Sequence, residues 1–353
     1  MPGDARAAAA QSWPAFVLVA GLLLVGLVAA GDGLFEAGGH ALARLAPNGL
    51  ALYAGSSLLV LVVTTLLNLD TSVTFLTPVL IGAARRRGEG EAPLLYGCLL
   101  LSNAGSMLLP GSNLTNVVVL GHLHLSGRDF FDHMALAGVA AALVTAIVVG
   151  AVHHRELRVT IRPSAEPEHP VLGVGLSAVV AVTVLVVTLR SPALPVAIVG
   201  VIAVVLRGRH DASDSSRAAL DVLGLRILVG LFGLAVALGA LGRGWSGPAT
   251  LLSHLDTWGT AVVATLTSVL VNNLPAASLL AARHPPHPFS MLVGLNVGPN
   301  LFVTGSLAWV LWLRAARTAG TQPNIRRAAT LGLISVPLAL ASAVLVLGAG
   351  GGS

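Results

Sequence analysis

Hydrophobic residues run along this chain in blocks, and polar residues interrupt them at a few places. The blocks fall at about 14–30, 50–83, 93–122, 134–152, 171–189, 192–206, 227–242, 258–282, 289–313 and 329–348. Most are long enough for a helix to cross roughly 30 Å of hydrocarbon. They lack the alternation of a membrane β-barrel strand, and an isolated strand leaves its backbone unsatisfied in lipid. The pattern predicts an all-α polytopic membrane protein. Two mildly amphipathic stretches, 33–45 and 245–257, lie between blocks. The first offers Leu34, Ala41, Leu42 and Leu45 for one face, as an interfacial helix would. Polar loops are expected at 153–170, the linker between two halves, and at 207–217. A basic loop is expected at 314–327.

Four of the blocks are broken by polar residues at depth: 68–74, 112–116 after Pro110-Gly111, 272–275 and 296–306. The order span, amphipathic arm, broken run, second broken run and final span occurs twice, over 14–152 and 227–349. The segments 21–45 and 230–255 also share a span, a glycine-bearing turn and an arm. We therefore expect two repeats. The first holds a re-entrant hairpin at 50–83 and a broken helix at 93–122. The second holds a hairpin at 258–282 and a broken helix at 289–313, with two scaffold spans at 171–206 before it. Broken helices in corresponding places of two halves point to a transporter binding site at the repeat interface.

Charge then orients the repeats. All 20 basic residues are Arg. If each first broken run returns to its own side, 15 of the 20 share one face, leaving Arg6, Arg128, Arg190, Arg243 and Arg283 on the other. If both runs cross fully, the split is 12 to 8. The larger bias favours inverted repeats with a cytoplasmic basic face and both termini outside. The net charge of +5 and pI near 10.8 thus reflect topology, and no nucleic-acid partner is expected. The chain is 55% hydrophobic with a mean hydropathy of +0.86. The lipid bilayer is its implied surroundings, with the cell membrane as its location. Residues 1–11 carry one Arg and no clear cleavage site, so the first block is expected to be a retained span rather than a signal peptide. The single cysteine, Cys98, excludes an internal disulfide and is expected to pack.

Candidate chemistry lies in the breaks. Asp70 is the one carboxylate within a long apolar block. A charge at that depth costs several kcal/mol unless it faces a cavity or a partner, which makes Asp70 the candidate proton- or ion-coupling group. The alternative is a polar kink in an ordinary span, with Asp70 paired to a neighbouring helix. The candidate binding residues are Asn68, Thr71, Ser72, Ser112, Asn113, Thr115, Asn116, Asn272, Asn273, Asn300, Thr304, Gly305 and Ser306. They supply neutral donors and acceptors beside helix N-termini whose free N–H groups suit an oxyanion or a hydroxyl-bearing solute. No Arg lies in these motifs. No catalytic pair of carboxylates or His–Glu pair lies in the apolar runs, and the Gly-rich stretches lack the Lys of a phosphate loop. An enzyme or a nucleotide-binding subunit is not expected, nor is a cofactor beyond a coupling H⁺ or Na⁺.

Asn272-Asn273-Leu274-Pro275-Ala276, followed by the run from Gly298-Pro299-Asn300 through Thr304-Gly305-Ser306 to Trp312-Leu313, resembles the second-half signature of the arsenite efflux permease family. That family belongs to the ion transporter superfamily, with divalent anion/sodium symporters and sodium/proton antiporters. Asp70–Pro78 and Ser112-Asn113-Leu114-Thr115-Asn116 resemble its first-half motifs. The resemblance covers about 14–350. It implies an elevator-type carrier, a homodimer, hairpin tips that hold substrate, and proton-coupled efflux of arsenite or antimonite; an ATPase subunit is a partner the sequence leaves open. A neutral trihydroxy solute suits an Asn/Ser/Thr cage. The tips carry Asn272-Asn273-Leu274-Pro275 in place of the Ser-Asn-Thr of sodium-coupled dicarboxylate carriers. A sodium-coupled di- or tricarboxylate or other oxyanion carrier and a sodium/proton antiporter are the alternatives.

Overall fold

A computed structural model describes residues 2–121, 125–158, 173–208 and 212–349. Every described element is helical. The first part runs α1 (Pro2–Gly31), α2 (Leu34–Leu45), α3 (Gly49–Leu66), α4 (Leu69–Arg86), α5 (Ala92–Gly105), α6 (Leu114–Leu120) and α7 (Gly127–Val152). Then come α8 (Val174–Thr188), α9 (Ala193–Arg207) and α10 (Ala212–Leu223). The last part is α11 (Leu225–Gly244), α12 (Gly247–Ser253), α13 (Thr257–Val271), α14 (Asn273–Leu280), α15 (Pro288–Val297), α16 (Leu307–Thr318) and α17 (Ile325–Ala349). Short 3-10 turns lead into the gaps before α6 and α16. Among the described residues five helices are long and apolar enough to cross a membrane, α1, α3, α7, α17 and the continuous stretch Arg217–Gly244.

The helix starts follow local chemistry. A side-chain oxygen on the preceding residue accepts an otherwise unpaired N–H of the first turn. Asn48 does this for α3, Asn68 for α4, Asn113 for α6, Asp256 for α13 and Asn272 for α14. Ser126 and Asp129 form a reciprocal capping box. That box starts α7 at Gly127, well before the span expected at 134–152. Two further boundaries differ from the sequence pattern. Alanines 7–10 favour helix, so α1 extends back to Pro2. The polar loop expected at 207–217 gives way to α10 from Ala212, a helix whose formers Arg217, Ala218, Ala219 and Leu220 lie from its middle onward. Most of the expected linker at 153–170 lies outside the described residues.

Packing partners recur in pairs. α3 packs on α5, and α13 on α15. α4 packs on α16, and α14 on α6. α1 packs on α4, and α11 on α14. α5 packs on α7, and α15 on α17. α7 and α17 pack against each other, as do α1 and α11. Each broken element of one part thus leans on the other part. Two hydrophobic cores result. One gathers Leu69, Val73 and Leu76 of α4 with Trp309 and Trp312 of α16. The other gathers Leu274 and Ala277 of α14 with Leu114 and Val118 of α6.

The loop charges meet as the sequence bias grouped them. Arg85 bonds Glu91 at 2.6 Å and donates to the Ala319 carbonyl at 2.7 Å. Arg327 pairs with Glu156 at 3.1 Å and lies over the Tyr96 ring. Arg87 is buried, paired with Glu89 at 2.8 Å, and donates to the carbonyls of Ala43, in the last turn of α2, and Ala46, just beyond it. Partial burial pushes the Glu91 carboxyl up, but hydrogen bonds from Arg85 and Thr321 and the Arg85 charge outweigh it and hold it below its usual range. From the minority group, Arg243 bonds Gln11 and Arg283 donates to the Arg243 carbonyl.

Candidate transport site

Four helix starts converge. Leu69 and Asp70 at the start of α4, Asn113 and Leu114 at α6, Asn272, Asn273 and Leu274 at α14, and Ser306 and Leu307 at α16 line one cavity. Phe16 of α1 and Leu228 and Leu231 of α11 roof it. Its volume is about 20 Å³, room for about one water. Helix N-termini carry partial positive charge and free N–H groups, and the lining residues include no guanidinium. Asp70, in the first turn of α4, is 2% exposed. Among the described residues no hydrogen bond or ion pair holds its carboxylate. A buried acidic group with no fixed partner, beside helix N-termini, is suited to take up and release a cation as solute moves.

The structure sorts the predicted residues into two groups. Asp70, Asn113, Asn272, Asn273 and Ser306 reach the cavity. The others build the breaks. Asn68 accepts the Thr71 N–H at 2.6 Å, leaving its own amide N buried and unpartnered. The Ser72 and Ser102 hydroxyls lie 3.2 Å apart. Ser112 donates to the Thr65 carbonyl, tying the first break to the second. Asn116 donates to the Ser106 and Leu109 carbonyls at 2.8 and 3.1 Å, closing the loop before α6. Asn300 donates to the Leu100 carbonyl at 2.9 Å. Thr304, exposed, donates to Val269 at 2.6 Å, and the Gly305 carbonyl accepts from the Asn273 N–H at 2.8 Å. The Thr71, Thr115 and Ser306 hydroxyls are buried without a protein partner. Asn272 stands apart, with φ 77° and ψ 147°, a region nearly reserved for glycine. Its side chain offsets part of that strain, bonding the Leu274 N–H at 3.3 Å and the Thr304 carbonyl at 3.2 Å.

Residues absent from the sequence-based set complete the site. Asn296 of α15 is fully buried. Its carbonyl oxygen accepts from Ser106 at 2.6 Å and Asn113 at 2.7 Å, while its amide donates to Asn116 at 2.9 Å. One side chain thus joins the second part of the chain to the break that presents Asn113. The signal was present: Ser102, Asn103, Ser106 and Asn296 are polar residues in stretches otherwise apolar. The roof residues Phe16, Leu228 and Leu231 carry no such signal, since they are ordinary apolar positions on helices.

A polar cavity among buried helix starts, in a chain of membrane-crossing length, is the arrangement of a multi-pass secondary transporter. The family model described as citrate transporter (CitMHS) matches residues 1–291; the chain belongs to this family. Its fold is similar to that in the crystal structure of the Alcanivorax borkumensis YdaH transporter, described as having an unusual topology. The TM-score is 0.57 at 17% identity, over 98% of this chain and 86% of that one.

Proposed function

We propose that this protein exports arsenite or antimonite in exchange for protons, with Asp70 as the coupling residue. One observation carries the reading: four helix starts surround a buried carboxylate that has no fixed partner, in a cavity lined otherwise by amides, a hydroxyl and apolar groups. A neutral trihydroxy solute finds donors and acceptors there and needs no guanidinium. Asp70 takes up a proton when the solute leaves and returns it when the next solute binds, so that the emptied site returns without an unpaired ionised carboxylate in the low-dielectric interior. The paired packing of α3 on α5 with α13 on α15, and of α4 on α16 with α14 on α6, supports two inverted repeats that alternate access by an elevator motion. Under this reading Asn113, Asn272, Asn273 and Ser306 contact the solute, and the remaining break residues hold them in place.

A second reading has an observation of its own. The family description names citrate, which favours a small carboxylate held by the same helix starts, with H⁺ or Na⁺ as the coupling ion. The test is uptake of arsenite and of radiolabelled citrate into inverted membrane vesicles under an imposed proton gradient, for wild type and Asp70→Asn. Gradient-driven arsenite accumulation lost in Asp70→Asn, with protein level and thermal stability retained, is expected. Citrate movement without arsenite movement favours the second reading. Arsenite accumulation unchanged in Asp70→Asn refutes the coupling role.

A further inference from the structure

A second cavity lies away from the Asp70 site. It holds about 630 Å³ between the N-terminal half of α1, the end of α6 and the turn joining α8 to α9, within the 300–1,000 Å³ range of small-molecule sites. Its walls are apolar, with Trp13, Val117, Val186 and Leu194 contributing. Its polar rim carries two guanidiniums, Arg190 and Arg243.

The two cations differ. Arg243 is fixed, donating to the Gly239 carbonyl at 3.0 Å and to Gln11 Oε1 at 2.5 Å. Gln11 in turn donates to the carbonyls of Val118 on α6 and Ala281 beyond α14, so Arg243 is anchored to three elements. Arg190 is exposed, and among the described residues its guanidinium makes no hydrogen bond. Trp13, 40% exposed, lines the same cavity, and tryptophan is enriched at membrane–water boundaries. Two arginines beside an apolar slot match the two ends of an anionic amphiphile. Guanidinium binds phosphate oxygens bidentately. A free anion would leave the apolar walls unused.

We infer that this cavity binds an anionic phospholipid, its phosphate on Arg190 and Arg243 and an acyl chain along the slot between α1, α6 and α9. The test is native mass spectrometry of the full-length protein, released from nanodiscs of phosphatidylglycerol or of phosphatidylcholine, for wild type, Arg190→Gln and Leu194→Trp. Phosphatidylglycerol adducts should persist on wild type and exceed phosphatidylcholine adducts. Arg190→Gln should reduce them by about fivefold, the worth of one basic residue beside an anionic membrane surface. Leu194→Trp, which keeps both arginines and fills the slot, should reduce them as well. Equal retention of both lipids, or retention unchanged in both variants, overturns the assignment. A parallel titration with inorganic phosphate separates the two sources of the headgroup chemistry. Displacement of the lipid by millimolar phosphate, with Leu194→Trp silent, overturns the lipid site in favour of a free-anion site.

Discussion

Replacing Asn296 by Leu removes the polar groups that bridge the two parts of the chain while keeping a side chain of the same branching and heavy-atom count. Three hydrogen bonds to other elements disappear, from Ser106, from Asn113 and to Asn116. Two of the partners have a fallback: Ser106 still donates to the Asn103 carbonyl at 2.8 Å, and Asn113 still reaches Ser106 at 3.2 Å. The Asn116 carbonyl oxygen has none, and it stays buried. Side-chain hydrogen bonds between membrane helices average ~0.6 kcal/mol, and one buried orphan acceptor costs ~1–3 kcal/mol. Three such bonds and the orphan together come to about 3–5 kcal/mol of stability, large for a single substitution. Thermal unfolding of detergent-purified protein measures it. Asn116→Leu and the double variant complete a cycle, in which the Asn296–Asn116 coupling should be favourable and about 1 kcal/mol. A loss below about 0.5 kcal/mol for Asn296→Leu, with no coupling to Asn116, refutes the bridge.

Other outcomes follow from single contacts. A Cβ on Gly332 of α17 would sit 1.9 Å from the Asn300 carbonyl oxygen, so Gly332→Ala should cost ~1–3 kcal/mol by overpacking. Gly230→Ala on α11, where nothing lies within 4 Å, should be neutral or stabilise by ~0.5–1 kcal/mol; thermal unfolding of the pair decides it, and equal effects would contradict the close approach of α17. Because Asn272 has φ 77°, Asn272→Gly should be more stable than Asn272→Ala by ~1 kcal/mol or more; identical melting temperatures would show that the strain is absent. Glu91, whose carboxyl is held low, binds fewer protons folded than unfolded, so its stabilising contribution is present above its ordinary value near 4.5 and lost as pH falls through the lower folded value. The melting-temperature gap between wild type and Glu91→Gln should therefore close on acidification below that point, and a gap that widens instead would reverse the sign.

Much of the architecture is carried by local signals. Apolar blocks of membrane length demand helices because lipid offers the backbone no other partner, and the helices appear where the blocks are. The breaks at Asn68, Asn113 and Asn272 were legible because Asn caps a helix better than it continues one. Asp70 was legible because an acidic residue in an apolar block has few bland explanations. The uneven distribution of Arg grouped loops that meet in the structure, Arg85 with the end of α16 and Arg243 with Arg283.

What sequence could not show is which polar residues share a space. Thirteen binding candidates looked alike, yet only Asn113, Asn272, Asn273 and Ser306 reach the Asp70 cavity; Asn68, Ser112, Asn116, Asn300 and Thr304 bond backbone groups, Ser72 meets Ser102, and the Thr71 and Thr115 hydroxyls are buried away from it. The roof of Phe16, Leu228 and Leu231 and the Asn296 bridge depend on contacts between residues more than a hundred positions apart. Such contacts are set by how whole helices pack, which no local spacing encodes. The chain itself therefore determined that this is a membrane carrier with a charge at its centre, while the tertiary structure alone decided what surrounds that charge.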